Sequence, residues 1–171
     1  MLLEENSDIL LVAGNVFENA APGIKDQELY YRFLHQVMES GCRHVVVTAG
    51  NHDSPAFLSA PEQLLRPLGV HVRGQARNPE DDALVLRDEN GSAMAVVCAV
   101  PYLRDRDVRT ARAGESPEDK ERALVAGIRD HYAAAAARAR KLVEAAGGGI
   151  PLIGMGHLFT AGGKTVGCDR V

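Results

Sequence analysis

His44-Val45-Val46-Val47-Thr48-Ala49-Gly50-Asn51-His52-Asp53 is the stretch that decides the fold. Three consecutive valines closed by Ala-Gly describe a strand covered on both faces, which is the habit of strands in α/β proteins. The glycine then hands over to an amide, an imidazole and a carboxylate, at the strand end where such proteins keep their chemistry. Asn-His-Asp after a strand is also what an ordinary polar turn looks like, so the flanking chain has to decide.

On the N-terminal side, Asp8-Ile9-Leu10-Leu11-Val12-Ala13-Gly14 repeats the pattern, and Asn15 leaves its end. Its continuous apolar run predicts a central strand. After a loop to Gly23, Asp26 is expected to cap a helix whose Tyr30, Phe33, Leu34, Val37 and Met38 share one face, with Gly41 as its stop. Strand, helix and strand then form a right-handed crossover of two parallel strands. Gly14-Asn15 and Gly50-Asn51 should therefore emerge from the same carboxyl edge of one sheet. Ser54-Pro55 sets an N-cap with Pro in the first helical position, and Pro61 interrupts the short helix that follows.

On the C-terminal side, Val70-His71-Val72 and Ala83-Leu84-Val85-Leu86 read as short strands. Asn90-Gly91 signals a hairpin into Met94-Ala95-Val96-Val97-Cys98-Ala99-Val100, where the sheet is expected to turn from parallel to antiparallel. Pro101 to Arg109 reads as a charged loop of alternating sign. Ser116-Pro117-Glu118-Asp119 opens a long helix that runs through the alanines at 133–137 and stops at Gly147-Gly148-Gly149. Ile150-Pro151-Leu152-Ile153-Gly154-Met155 is a last strand, and Gly156-His157 leaves its end. That is a third strand delivering a side chain able to bind metal.

Composition narrows the function classes. The 171 residues suit one α/β unit, and a formal net charge of -4 (19 basic against 23 acidic residues) rules out nucleic-acid binding by bulk charge. Any grip on phosphate must be local or metal-borne. Cys42, Cys98 and Cys168 are odd in number and lack zinc spacing, which suits reduced, partly buried thiols of a cytosolic protein. No apolar run nears the roughly 18 residues of a membrane span, and the acidic opening Met1 to Asn6 is unlike a signal peptide. The expected location is the cytoplasm.

In order, spacing and flanking glycines, these strand ends resemble the calcineurin-like metallophosphoesterases. Within them they resemble the SbcD branch, the nuclease component of the bacterial SbcCD complex and a relative of the Mre-type nucleases. The resemblance is carried by Leu11-Val12-Ala13-Gly14-Asn15-Val16-Phe17, Gly50-Asn51-His52-Asp53-Ser54, Pro101-Tyr102-Leu103-Arg104-Asp105-Arg106-Asp107 and Gly156-His157-Leu158-Phe159. Asn-His-Asp marks the superfamily, and the Tyr-Leu-Arg-Asp-Arg-Asp stretch points to the SbcD branch.

The resemblance implies an α/β fold of the αββα sandwich type with mixed sheets, here one partial domain over 1–171, incomplete at both termini. It implies a metal-dependent DNA exonuclease and endonuclease of repair and recombination. Its implied partners are DNA, an ATPase of the SbcC type and a second copy of the nuclease in a homodimer, with no membrane. Two divalent ions about 3.5–4 Å apart clamp the phosphodiester in such enzymes, and manganese is the expected ion because it accepts carboxylate, amide oxygen and imidazole together. By the same resemblance Asn15, Asn51 and His157 stand at metal positions, His52 contacts the scissile phosphate or protonates the leaving group, and Asp53 orients His52.

The departures are specific. Asn15 stands where the family has a bridging aspartate, and Glu18 where another aspartate is usual. No Asp-x-His precedes Asp8, no Gly-His-x-His follows His157, and His35, His44, His71 and His131 lack the flanking glycine and strand-end position to substitute. The expectation is one bound ion or none and little activity. A non-catalytic interaction module and a phosphatase or small phosphodiesterase are the alternatives. Arg104, Arg106 and Arg109, with Arg112, are the candidates for DNA contact; the competing reading pairs them with Asp105 and Asp107.

Overall fold

The computed structural model describes residues 7–159, so Cys168 and the acidic opening lie outside the described residues. Among these residues two three-stranded sheets form, as the resemblance implied, where the strand pattern alone read one sheet changing character. The first contains β1 (Ile9–Ala13), β2 (His44–Thr48) and β3 (Val70–Arg73), all parallel in that order. The second contains β4 (Ala83–Arg87), β5 (Ala93–Val100) and β6 (Leu152–Gly156), with β4 antiparallel and β6 parallel to β5. The hairpin between β4 and β5 turns at Gly91, whose φ of 81° suits glycine, and Asp88 Oδ1 accepts the N–H groups of Asn90 and Ser92.

Side-chain alternation explains why two sheets are needed. Val45 and Val47 face one way, into a core with Val70, Val72, Leu58 and the Tyr30, Leu34 and Val37 stripe of α1 (Ile24–Glu39). Val46 faces the other way and meets Leu86, Val97, Ala99 and Met155 of the second sheet. On that sheet's far side, Val96, Cys98 and Val100 pack against Ala135 and Ala139 of α5 (Pro117–Ala145). The alanine run of α5 thus lets a long helix lie close to β5. Each fully buried valine contributes roughly 1.5–3 kcal/mol relative to exposure.

Several local expectations need correction. Among the described residues β2 holds the centre of its sheet and β1 its edge, because the valines of β2 are buried on both faces whereas β1 is only half-buried. The helix α1 starts before Asp26: Gly23 is its N-cap, and the Asp26 carboxylate reaches back to accept the Gly23 N–H at 3.1 Å. Gly41, at φ 88°, follows the helix end as expected. The loop after β5 contains one helical turn, α4 (Asp105–Val108), nucleated by the Asp107 carboxylate accepting the Arg104 N–H at 2.8 Å.

The remaining helices match their signals. Ser54 caps α2 (Pro55–Ser59) by accepting the Phe57 N–H, and after Pro61 comes α3 (Glu62–Leu65). Ser116 likewise caps α5 by accepting the Asp119 N–H. A buried pair, His131 Nε2 and Asp82 Oδ2 at 2.7 Å, ties α5 to the turn before β4. Cys42 and Cys98 are buried free thiols. No helix among the described residues is long and apolar enough to cross a membrane.

Candidate functional site

The three glycine-closed strand ends meet at the seam between the sheets. Asn15 and the Asn51-His52-Asp53 turn come from β1 and β2 of the first sheet, and His157 from β6 of the second. Two missing side chains make the approach possible. A Cβ on Gly14 would run into the His157 ring and lie 2.9 Å from Gly50 Cα, and a Cβ on Gly50 would run into Asn15. Gly14 and Asn15 both take left-handed backbone, at φ 84° and 45°, which folds the chain sharply out of β1. Asparagine is among the few side chains that tolerate that conformation.

Hydrogen bonds fix the imidazoles. His157 Nδ1 lies 3.1 Å from Ala13 O, and since a carbonyl only accepts, Nδ1 carries the hydrogen. His157 Nε2 then faces Asn51 Oδ1 at 2.9 Å. A neutral ring in that tautomer sets two lone pairs against each other. The contact is satisfied by an imidazolium, by an Asn51 amide turned to present its NH2, or by a cation on both lone pairs. His52 Nδ1 lies 3.0 Å from Glu18 O, so it too donates there and leaves Nε2 turned outward, while the His52 N–H donates to Asn15 Oδ1 at 3.3 Å. Glu18 contributes its backbone to this contact.

Asp53 does something other than orient His52. Fully buried, it accepts the N–H groups of Gly50 (2.7 Å), Phe17 (2.8 Å) and Val16 (3.1 Å), locking the β1 and β2 end loops together. Its short side chain turns inward beneath the loops, so the imidazole is held by Glu18 O instead. With both Asp53 oxygens spent on amides and a neutral amide at Asn15, the described donors do not fit a two-ion centre. Among the described residues no three His, Cys, Asp or Glu side chains gather as a metal-ligand group. What does fit a single cation is the Asn51 oxygen and the His157 nitrogen, whose Nδ1–H to carbonyl contact is the usual brace of a ligating histidine.

The arginines divide. Arg109 drops out of the candidates for DNA contact: its guanidinium is nearly buried and pairs with Asp105 and with Glu115 at 2.7 Å. Its hydrogen bond holds the Asp105 carboxyl below the usual carboxylate range. Arg104 reaches Asp53 O at 3.3 Å and so braces the Asn51-His52-Asp53 turn from the second sheet. Arg106 and Arg112 are exposed. Sequence reasoning missed Tyr102, whose N–H donates to Ala49 O at 2.8 Å and whose ring stands edge-on to His157 at 6.1 Å. Its only signal was membership of the Pro101 to Asp107 segment.

No protein-family model matches the chain. It is 40% identical over 178 residues to SbcD of the nuclease SbcCD from Rhodobacter capsulatus, a match covering 99% of this chain and 43% of that protein. The Escherichia coli K12 SbcD is 37% identical over 155 residues, covering 91% and 37% respectively. The Bacillus subtilis SbcD is 28% identical over 168 residues, covering 98% and 40%. The chain thus spans less than half the length of the relatives it matches.

Proposed function

Because the chain is related to the SbcD family of nuclease SbcCD components, we propose that it is part of a DNA-repair nuclease of αββα metallophosphoesterase type, whose strand-end cluster receives a phosphodiester of DNA. In the whole protein the partner is an ATPase of the SbcC type, the nuclease pairs with a second copy of itself, and the compartment is the cytoplasm. The observation that carries this reading is the seam contact, where Asn51 Oδ1 and His157 Nε2 converge at 2.9 Å from strands of two different sheets. An oxygen and an imidazole nitrogen at that spacing suit an intermediate ion such as manganese.

When bound, divalent metal in such sites activates water and neutralises the leaving oxygen. This chain's own residues do the rest. His157 is aimed by Ala13 O, Asn51 is held by its turn, and His52, braced through Nδ1, keeps Nε2 free to exchange a proton with the leaving oxygen. The described donors do not fit a second ion, so a single ion is what these residues could hold.

A second reading, a non-catalytic module retaining the fold, is favoured by one observation: Asn15 puts a neutral amide beside an Asp53 already committed to three backbone amides. A nuclease assay on linear DNA with manganese, with and without chelator, separates the two when an Asn15→Asp protein extended to carry Asp-x-His and Gly-His-x-His is run beside the chain: chelator-sensitive degradation recovered there supports the nuclease, and none supports the non-catalytic module. The expected result is little or no degradation by the chain alone, unchanged in Asn15→Asp. Robust chelator-sensitive degradation would overturn it. Manganese that broadens the NMR signals of His157 before those of the exposed His35 supports the single-ion half-site, and equal broadening removes it.

A further inference from the structure

Beside the candidate site lies an aromatic cleft that phosphate binding does not use. Tyr102 stands edge-on both to the His157 ring and to Phe159, whose centroids are 6.1 and 6.2 Å away at 78° and 90°. With Leu158 and the α5 residues Ile128 and Tyr132, these rings bound a cleft of about 600 Å³. Phe159 is 81% exposed and Leu158 44%, so apolar and aromatic faces stand in water next to a polar site. Surface of that kind marks binding more often than chance exposure.

The cleft's charges decide what it takes. Its rim carries Asp105, Glu121 and Arg129. Asp105 is neutralised by Arg109, and the charges of Glu121 and Arg129 cancel, so the cleft has no net positive charge to hold a phosphate. A planar, uncharged ring bearing amino groups suits both the aromatic walls and the carboxylate at the rim. The backbone of Tyr102 is anchored by its N–H to Ala49 O, so a ring stacking there need not first order the segment that carries the platform.

We propose that this cleft is a stacking site for the nucleobase next to the phosphate received at Asn51 and His157. Stacking on Tyr102, with the perpendicular Phe159 ring meeting the base at its edge, is tolerant of sequence, because every base has a π-face. The inference rests on the phosphodiester reading for the identity of its ligand.

The test uses the chain as it is, with deoxyadenosine, deoxyadenosine monophosphate and deoxyribose 5-phosphate as probes, read by saturation-transfer NMR and titration. The monophosphate is expected to bind roughly tenfold or more tighter than deoxyribose 5-phosphate, with saturation reaching the base protons of deoxyadenosine. Tyr102→Ala and Phe159→Ala should each erase most of that difference, while Tyr102→Phe keeps it. Phe159 is exposed enough that its alanine variant tests the site without unfolding the chain. Equal affinity of the monophosphate and the base-free sugar phosphate refutes the stacking site, as does a preference that survives in both alanine variants. If deoxyadenosine binds through Tyr102 but the monophosphate gains nothing over it, the stacking cleft stands and the phosphodiester reading falls.

Discussion

Asp53→Asn is the substitution that most directly tests how the site is held. Asp53 Oδ2 accepts from Gly50 and Val16, and Oδ1 accepts from Phe17, all beneath the surface. An asparagine can keep its oxygen in the Oδ2 position and retain two of these contacts. Its NH2 then faces the Phe17 N–H, donor against donor, at a fully buried position. A buried unsatisfied donor costs about 1–3 kcal/mol, and losing the charge assistance of the other two bonds adds to that. The total should be about 2–4 kcal/mol. With a urea slope of about 1–3 kcal/mol/M, the unfolding midpoint falls by roughly 1–2 M. Circular dichroism in urea measures it, with the exposed Asp130→Asn as the reference. A midpoint shift no larger than that of Asp130→Asn would refute the view that Asp53 locks the two strand-end loops, and would return it to a role on His52.

Other substitutions read other parts of the fold. His131→Ala leaves the Asp82 carboxylate buried without its partner and should cost about 3–5 kcal/mol in the same urea assay. Burial, with His44 and Arg73 adding to it, pushes His71 down to about 4. The unfolded chain therefore binds this proton first, so stability is full above about pH 6.5 and declines as pH falls toward 4; thermal melts across that window should flatten in His71→Gln. Gly50→Ala drives a Cβ into Asn15 and should shift the His52 and His157 imidazole resonances together. In DNA binding followed against salt, Arg106→Ala or Arg112→Ala should lower the log–log slope by roughly 0.9 if it contacts a phosphate, and Arg109→Ala should leave it unchanged.

The strand ends were legible because glycine-closed apolar runs carry their own signal, and α5 because Ser116-Pro117 and the triple glycine bracket it. The division into two sheets was implied only by the family resemblance, since pleating turns Val45 and Val46 to opposite faces but nothing local shows which core covers each. The edge position of β1 was hidden for a related reason: its run is as apolar as that of a covered strand, and burial depends on neighbours. Residue types marked the strand ends that converge as a candidate site, but partners did not follow from adjacency. Asp53 follows His52 in the chain yet serves Val16 and Phe17, 37 and 36 positions away. Arg109 read equally as a DNA contact and as a partner of Asp105 or Asp107; the fold pairs it with Asp105 and adds Glu115, which no local pattern signalled.

The seam position of Asn51 and His157 makes their contact a caliper on the fit between the sheets. Neither residue is joined to the other by a shared strand ladder; the 2.9 Å gap depends on how Val46 rests on Val97, Ala99 and Met155 and on the seam bonds of His157 to Ala13 O and Tyr102 to Ala49 O. A truncation such as Met155→Ala, in β6 just before His157, lets one sheet settle toward the other. A hydrogen bond is lost over less than an ångström of sliding, well short of the roughly 3.3 Å step from one strand residue to the next. Core substitutions that leave every polar residue in place can therefore disarm the site while the protein stays folded.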